Sequence, residues 1–301
     1  DMQPDLIWIK SRADTNPHTV VDSVRGATKI IWTNVNSVEG TYTDEVTSFD
    51  SDGFSLGASS NAYANENTET HVAWCWKESA TAGFDIIAYT GTGSNMDVSH
   101  NLSAVPDFFA IKNLEVDQAW RVFHKNMTTA DPYSTRMVFS ENGAETTSAL
   151  GLDADPTSSV INIGTGTGCT NASGEDMIVY AWSEKQGFSK FGSFVGNQDN
   201  DGPFIYTGFR PALLIWKQTT SVKNWHIKDN KRLASFNPAN GHLYPNQTHA
   251  EEDYSDFDFL SNGIKIRHNG TDVNESGETY VYMAFAESPF VNSNGVPCNA
   301  R

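Results

Sequence analysis

Pairs of carboxylates a few residues apart are the first chemistry this sequence offers, because glycosidic bonds are cut by two such groups held about 5–10 Å apart. Glu66 with Glu69, Glu175 with Asp176 and Glu275 with Glu278 each stand just before an apolar run. They recur three times beside the same Asn, Ser and Thr residues. A catalytic pair does not need three copies and a turn does, so these groups read as turn chemistry in which Asn and Ser side chains bond the backbone. Asp199-Asn-Asp201-Gly202 and Asp50-Ser-Asp52-Gly53 are similar to the acidic stretch of calcium loops, which makes Asp199 and Asp201 the candidate Ca²⁺ ligands. Neither stretch carries the downstream Glu of an EF-hand, and Asp-Gly is an ordinary turn former. The expectation is therefore no cofactor, with Ca²⁺ as the alternative. The three cysteines, Cys75, Cys169 and Cys298, form no CxxC pair and no disulfide framework; whether Cys169 and Cys298 pair is left open. No Ser or Cys lies in a nucleophile-elbow context, and the Gly-rich stretch from Gly164 to Gly168 lacks the Lys of a phosphate loop. No catalytic residue is assigned, and the chain reads as a non-enzyme. Tyr63, Tyr133, Tyr244 and Tyr254 fall in loops amid Asn, Asp and Ser. Sugar-binding surfaces use that mixture, so these four are the candidate binding residues, set against the plainer reading of each as a loop anchor.

The elements that would position such groups come from a repeat. Pro4-Asp-Leu-Ile-Trp-Ile-Lys10 returns as Pro106-Asp-Phe-Phe-Ala-Ile-Lys112 and as Pro211-Ala-Leu-Leu-Ile-Trp-Lys217, at offsets of 102 and 105 residues. His18 to Asp22 aligns with Trp120 to His124 and Trp225 to Asp229. Three closing runs end alike, in Trp76-Lys-Glu78, Trp182-Ser-Glu184 and Phe285-Ala-Glu287. Aligned blocks in one order at one period indicate a triplicated unit of about a hundred residues. Alternation in the closing runs predicts strands whose aromatics Trp76, Trp182 and Phe285 face a core and whose neighbours face a second layer. The opening runs are apolar at nearly every position, as in strands covered on both faces. Lys10, Lys112 and Lys217 end the opening strands and Glu78, Glu184 and Glu287 the closing ones, so cross-strand Lys–Glu pairs are expected, with solvated strand ends as the alternative.

The expected fold is all-β, three tandem antiparallel β-sandwich units covering residues 1–80, 81–186 and 187–290, followed by a tail at 291–301. Gly83-Phe-Asp-Ile-Ile-Ala-Tyr-Thr-Gly91 precedes the second unit and a matching run from Gly187 to Gly196 precedes the third, but nothing comparable precedes Pro4. Either this strand opens a unit and the first lacks it, or it closes a unit and the third lacks it. One sandwich is left with an open edge for a neighbouring chain or the tail to fill. Thirty-seven acidic against 20 basic residues, a formal charge of −17, argue against a nucleic-acid partner. No apolar run approaches the roughly 18 residues that cross a bilayer, so no membrane insertion is expected. The start at Asp1 has no signal-peptide pattern and reads as a processed end or the middle of a longer architecture.

These motifs resemble a family of phage tail or tail-fibre structural proteins. The resemblance rests on Trp8-Ile-Lys10 with Asp22-Ser-Val-Arg-Gly26, Ser48 to Gly57, Val72 to Lys77, Tyr89 to Gly93, Ser189 to Phe194, Asp201 to Ala212 and Leu243 to Asn246. It covers the chain from about Leu6 to Phe290 and implies location more than chemistry. The implied protein is a virion-surface structural or adhesion element of a tail fibre or similar appendage. It would be homo-oligomeric, would assemble with other virion proteins, and would touch a host-surface glycan or receptor. A capsid decoration is the alternative reading, and an envelope-polysaccharide depolymerase a lesser one.

Overall fold

The computed structural model describes residues 2–128, 135–147, 151–165, 168–232 and 237–288. Among these the protein is all-β, built from antiparallel sheets with one helical turn, α1 (Thr271–Asn274). Among the described residues no helix is long and apolar enough to cross a membrane.

One pairing pattern occurs three times. In the first third β1 (Leu6–Ser11) lies between β2 (Thr19–Asp22) and β7 (His71–Trp76), and β3 (Lys29–Trp32) and β4 (Gly40–Thr41) extend the sheet past β2. In the second third β10 (Phe108–Asn113) lies between β11 (Arg121–His124) and β15 (Asp176–Trp182), with β12 (Thr135–Val138) and β13 (Thr146–Thr147) beyond β11. In the last third β18 (Pro211–Gln218) lies between β19 (His226–Asp229) and β23 (Thr279–Ala286). The registers agree: Lys10 is opposite Val72, Lys112 opposite Ile178 and Lys217 opposite Val281. The leading strands β8 (Phe84–Thr90) and β16 (Ser189–Val195) add to the outer side of β15 and β23. Among the described residues no strand adds to the outer side of β7, which is an edge.

A smaller layer covers one face of each of these sheets. These layers are β5 (Val46–Asp50) with β6 (Gly53–Leu56), β9 (Met96–Ser99) with β14 (Val160–Ile163), and β17 (Phe204–Tyr206) with β20 (Ala239–His242), β21 (Glu252–Leu260) and β22 (Gly263–Ile266). Three separate apolar clusters fill these spaces. The opposite faces of all three large sheets meet in a fourth cluster. Successive side chains on a strand point to opposite faces, so Leu6, Trp8, Phe108, Ala110, Leu213 and Ile215 enter the shared core while Ile7, Ile9, Phe109, Ile111, Leu214 and Trp216 enter the local ones. Trp76 sits edge-to-face on both Trp182 and Phe285, with centroids 6.1 and 5.8 Å apart. These three closing aromatics thus meet in the shared core. An apolar cavity of about 30 Å³ remains among residues of all three thirds.

Hydrogen bonds join the thirds in a ring. The Trp120 indole donates to the Trp32 carbonyl at 2.8 Å, the Trp225 indole to the Val138 carbonyl at 2.9 Å, and the Thr33 hydroxyl to the Pro245 carbonyl at 2.6 Å. At the corners the Tyr180 hydroxyl donates to Asp22, the Trp74 indole to Asp229, and His124 bonds the Tyr282 carbonyl. Asp22 and Asp229 are each held by an arginine three residues on, Arg25 and Arg232.

The expected Lys–Glu pairs do not form. The strands are antiparallel, so the lysine ending an opening strand stands beside the start of the closing strand, at the end away from the glutamate. Nor are the lysines solvated: Lys10, Lys112 and Lys217 are fully buried. Each ammonium donates to the carbonyl of the following residue, Ser11, Asn113 or Gln218. Lys10 also reaches the Asp14 carbonyl, and Lys217 those of Lys223 and Asn142. Burial lowers Lys10 and Lys112 to about 8 and Lys217 to about 7. The glutamates find other partners, Lys125 and Lys190 for Glu184 and Arg210 for Glu287. Glu78 is raised to about 7 by burial and by its hydrogen bond and proximity to Asp85.

Two outcomes follow. Trp182→Ala empties the meeting point of the sheets and is expected to cost about 3–5 kcal/mol in urea unfolding; a loss under 1 kcal/mol would show that the shared core is not cohesive. Lys217 has a folded value near 7, below the ordinary 10.5. Between those pH values the unfolded chain holds a proton that the folded chain has released, so this group adds stability as pH rises. Lys217→Met should flatten the stability curve between about pH 7 and 10, and an unchanged slope would contradict the buried placement.

Candidate functional site

The local layers of the last third enclose a polar cavity of about 240 Å³. Its walls come from β19, β20, the Tyr244 loop, β21 and the turn at α1. In β19, Ile227 enters the shared core, so alternation turns His226 and Lys228 the other way, between the layers. In β21, Phe257 and Phe259 pack into the local core while Tyr254 and Asp256 line the cavity.

The polar groups form a chain. His226 Nδ1 lies 2.6 Å from His242 Nε2, and His242 Nδ1 lies 3.4 Å from Asp256 Oδ2. Lys228 Nζ is 3.1 Å from the same carboxylate oxygen and donates to the Ala239 and Tyr254 carbonyls. Burial pushes Asp256 up, but His242 and the Lys228 charge outweigh it and hold the carboxyl below its usual range. Burial also lowers both histidines, His226 far below its ordinary value, with each other and the nearby lysines adding to the effect. The 2.6 Å contact is one hydrogen bond between the two rings, and which ring donates depends on the tautomer. Among the described residues His226 Nε2, His242 Nδ1 and Asp256 Oδ2 are buried with no hydrogen-bond partner. The Trp216 indole stacks on the His226 ring at 4.8 Å and fixes its plane. Tyr244 packs against both histidines and donates its hydroxyl to Glu252 at 2.9 Å. His268, Thr271 and Asp272 complete the lining. The space is below the roughly 300–1,000 Å³ of drug-sized pockets and suits a single small polar group.

The chain belongs to the DUF7483 family. The match covers residues 1–289, and the family is described as a domain of unknown function. No curated protein and no solved structure matches the chain.

Two of the four candidate tyrosines, Tyr244 and Tyr254, meet at this cavity, and Tyr254 is 46% exposed. Tyr63 instead packs edge-on against Trp32 and Tyr42, as a loop anchor does. Tyr133 lies outside the described residues, as do Cys298 and the tail. Asp199 and Asp201 share an exposed turn in which the Asp201 amide donates to Asp199, and the Asp201 carboxylate is engaged by Lys265 at 2.8 Å. Among the described residues no group of three or more His, Cys, Asp or Glu is poised to hold a metal. Cys75 is half-buried and Cys169 buried, both as free thiols. Of the carboxylates before the closing strands, Glu175 accepts from the Asn113 side-chain amide and Glu275 from the Gln218 side-chain amide, at the ends of the opening strands β10 and β18.

The sequence reading missed the His226, His242, Lys228 and Asp256 cluster. Its one signal was the polar, apolar, polar, polar run His226-Ile-Lys-Asp229, which reads equally well as a strand with a wet face. Asp256→Asn would leave the Lys228 ammonium buried without a counter-charge, at an expected cost of about 3–5 kcal/mol in denaturant unfolding. Adding Lys228→Met should restore most of that loss; if the double variant is no more stable than the single, the pair is not what holds these layers.

Proposed function

We propose that this chain is a non-enzymatic structural and adhesion protein of a phage virion, carried on a tail fibre or similar surface appendage. It is a triplicated β-sandwich module, assembles as a homo-oligomer with other virion proteins, and contacts a host-surface glycan through its last third. The resemblance of the repeated motifs to phage tail proteins supports the location. The observation that carries the non-catalytic reading is the use made of the repeated polar residues. Lys10, Lys112 and Lys217 are spent on strand-end carbonyls, and Asp22 and Asp229 on corner arginines and a neighbouring aromatic hydroxyl or indole.

The cavity beside Tyr244 and Tyr254 favours the glycan contact. It pairs the exposed face of Tyr254 with the hydroxyl of Thr271 and the carboxylate of Asp272, which suits a sugar ring edge and its hydroxyls. Host-cell-wall glycan fragments should bind the purified protein without being shortened, and Tyr254→Ala should weaken binding about tenfold while leaving the unfolding midpoint unchanged. Shortened glycan products would replace this reading with a depolymerase. Labelled protein located on the capsid lattice rather than the tail would replace it with a capsid decoration.

A further inference from the structure

The open edge of β7 has two filled counterparts in the same molecule. β8 adds to β15 at the corner bearing Arg25, where Ala88, Tyr89 and Arg25 line one depression. β16 adds to β23 beside the next corner, where Phe191 packs on Phe108 and His124. At the third such position, between β7 and the corner Asp229 to Lys231, there is a groove of about 280 Å³ walled by Val72 to Trp76, Phe188, Leu213, Phe285 and Ala286. Val179 and Ala181 of β15 are fully buried, as is Ala284 of β23, but their register equivalents on β7, Ala73 and Cys75, are exposed and half-buried. The Arg12 amide donates to the Thr70 carbonyl. Counting by twos from there sets Val72, Trp74 and Trp76 to bond β1 and turns the backbone groups of Ala73 and Cys75 outward.

We propose that this groove is a strand-acceptor site, completed by an extended segment supplied from outside these 301 residues. The site is continuous with the interface that β8 and β16 occupy, and those two strands define what it recognises. Opposite the equivalent of Trp74 they place Ile86 and Phe191, and opposite the equivalent of His71 they place Tyr89 and Phe194. Two residues later Gly91 and Gly196 donate to the Glu175 and Glu278 carbonyls, equivalents of Glu69. A Cβ on either glycine would lie 2.2 Å from the carbonyl oxygen of Ala172 or Glu275, so only glycine fits. The recognised segment is therefore large apolar, two of any residue, aromatic, one of any residue, glycine, running antiparallel to β7. Residues 289–301 do not contain that pattern, which argues against the chain's own tail. The inference stands apart from the virion reading.

A synthetic peptide of residues 84–92 is the probe. Added to the full chain it should bind one to one and slow amide hydrogen exchange at Ala73 and Cys75. The same peptide with Gly91→Val should bind at least about tenfold more weakly. Ala73→Pro in the protein removes an outward donor that β1 does not use, a substitution edge strands accommodate, and should abolish peptide binding while the unfolding transition is retained. No binding or protection in either the full chain or a variant ending at residue 288 would overturn the site. Binding only after that truncation would overturn the outside source and assign the groove to the tail.

Discussion

Everything in this fold depends on one demand placed on three strands. β1, β10 and β18 each separate two apolar compartments, a local one beneath the small layer and a shared one where the large sheets converge. A strand offers alternate side chains to its two faces, so a strand serving two interiors is apolar throughout. The closing strands carry the same demand with a tighter division. Small Ala181 and Ala284 face inward locally, and the neighbouring aromatics meet each other. Aromatics suit the convergence because edge-to-face pairs fill space where three surfaces meet at angles.

Sheets packed on both faces leave little water for the polar groups at strand ends, and the protein satisfies these with long or planar donors. The buried lysines bring an ammonium to strand-end carbonyls, the corner arginines bond aspartates through Nε, and indoles bridge from one third to the next. Such groups lose solvation and gain it back only through these bonds. They therefore work as registration devices more than as sources of net stability. The His226 and His242 pair belongs to the same economy, with the difference that each ring keeps a buried nitrogen without a partner.

The strands and their alternation were legible in the sequence because each is a local pattern: Leu6-Ile-Trp-Ile and Met177-Ile-Val-Tyr read directly as sheet. The expectation of a strand missing from one third was also legible, although sequence could not choose between the first and the last. The ring arrangement was not, since apolar strand faces are equally consistent with a row of sheets. The lysines were misread because a cation ending a strand usually meets water, and only three-dimensional packing brings the next residue's carbonyl beneath it. Tyr244 and Tyr254 could be singled out by their loops, whereas His242 and Asp256 sit in strands where polar residues ordinarily mark the solvent side.

The Thr33 to Pro245 bond spans 212 residues of chain, and it closes the circle of thirds. Contacts so remote in sequence form only after a large loop has been drawn together, and topologies rich in them fold slowly. During synthesis the first two thirds emerge with their inner faces uncovered until the last arrives. Those faces, bearing Trp8, Trp76 and Phe108, leave the half-made polypeptide with the exposed apolar surface that favours aggregation.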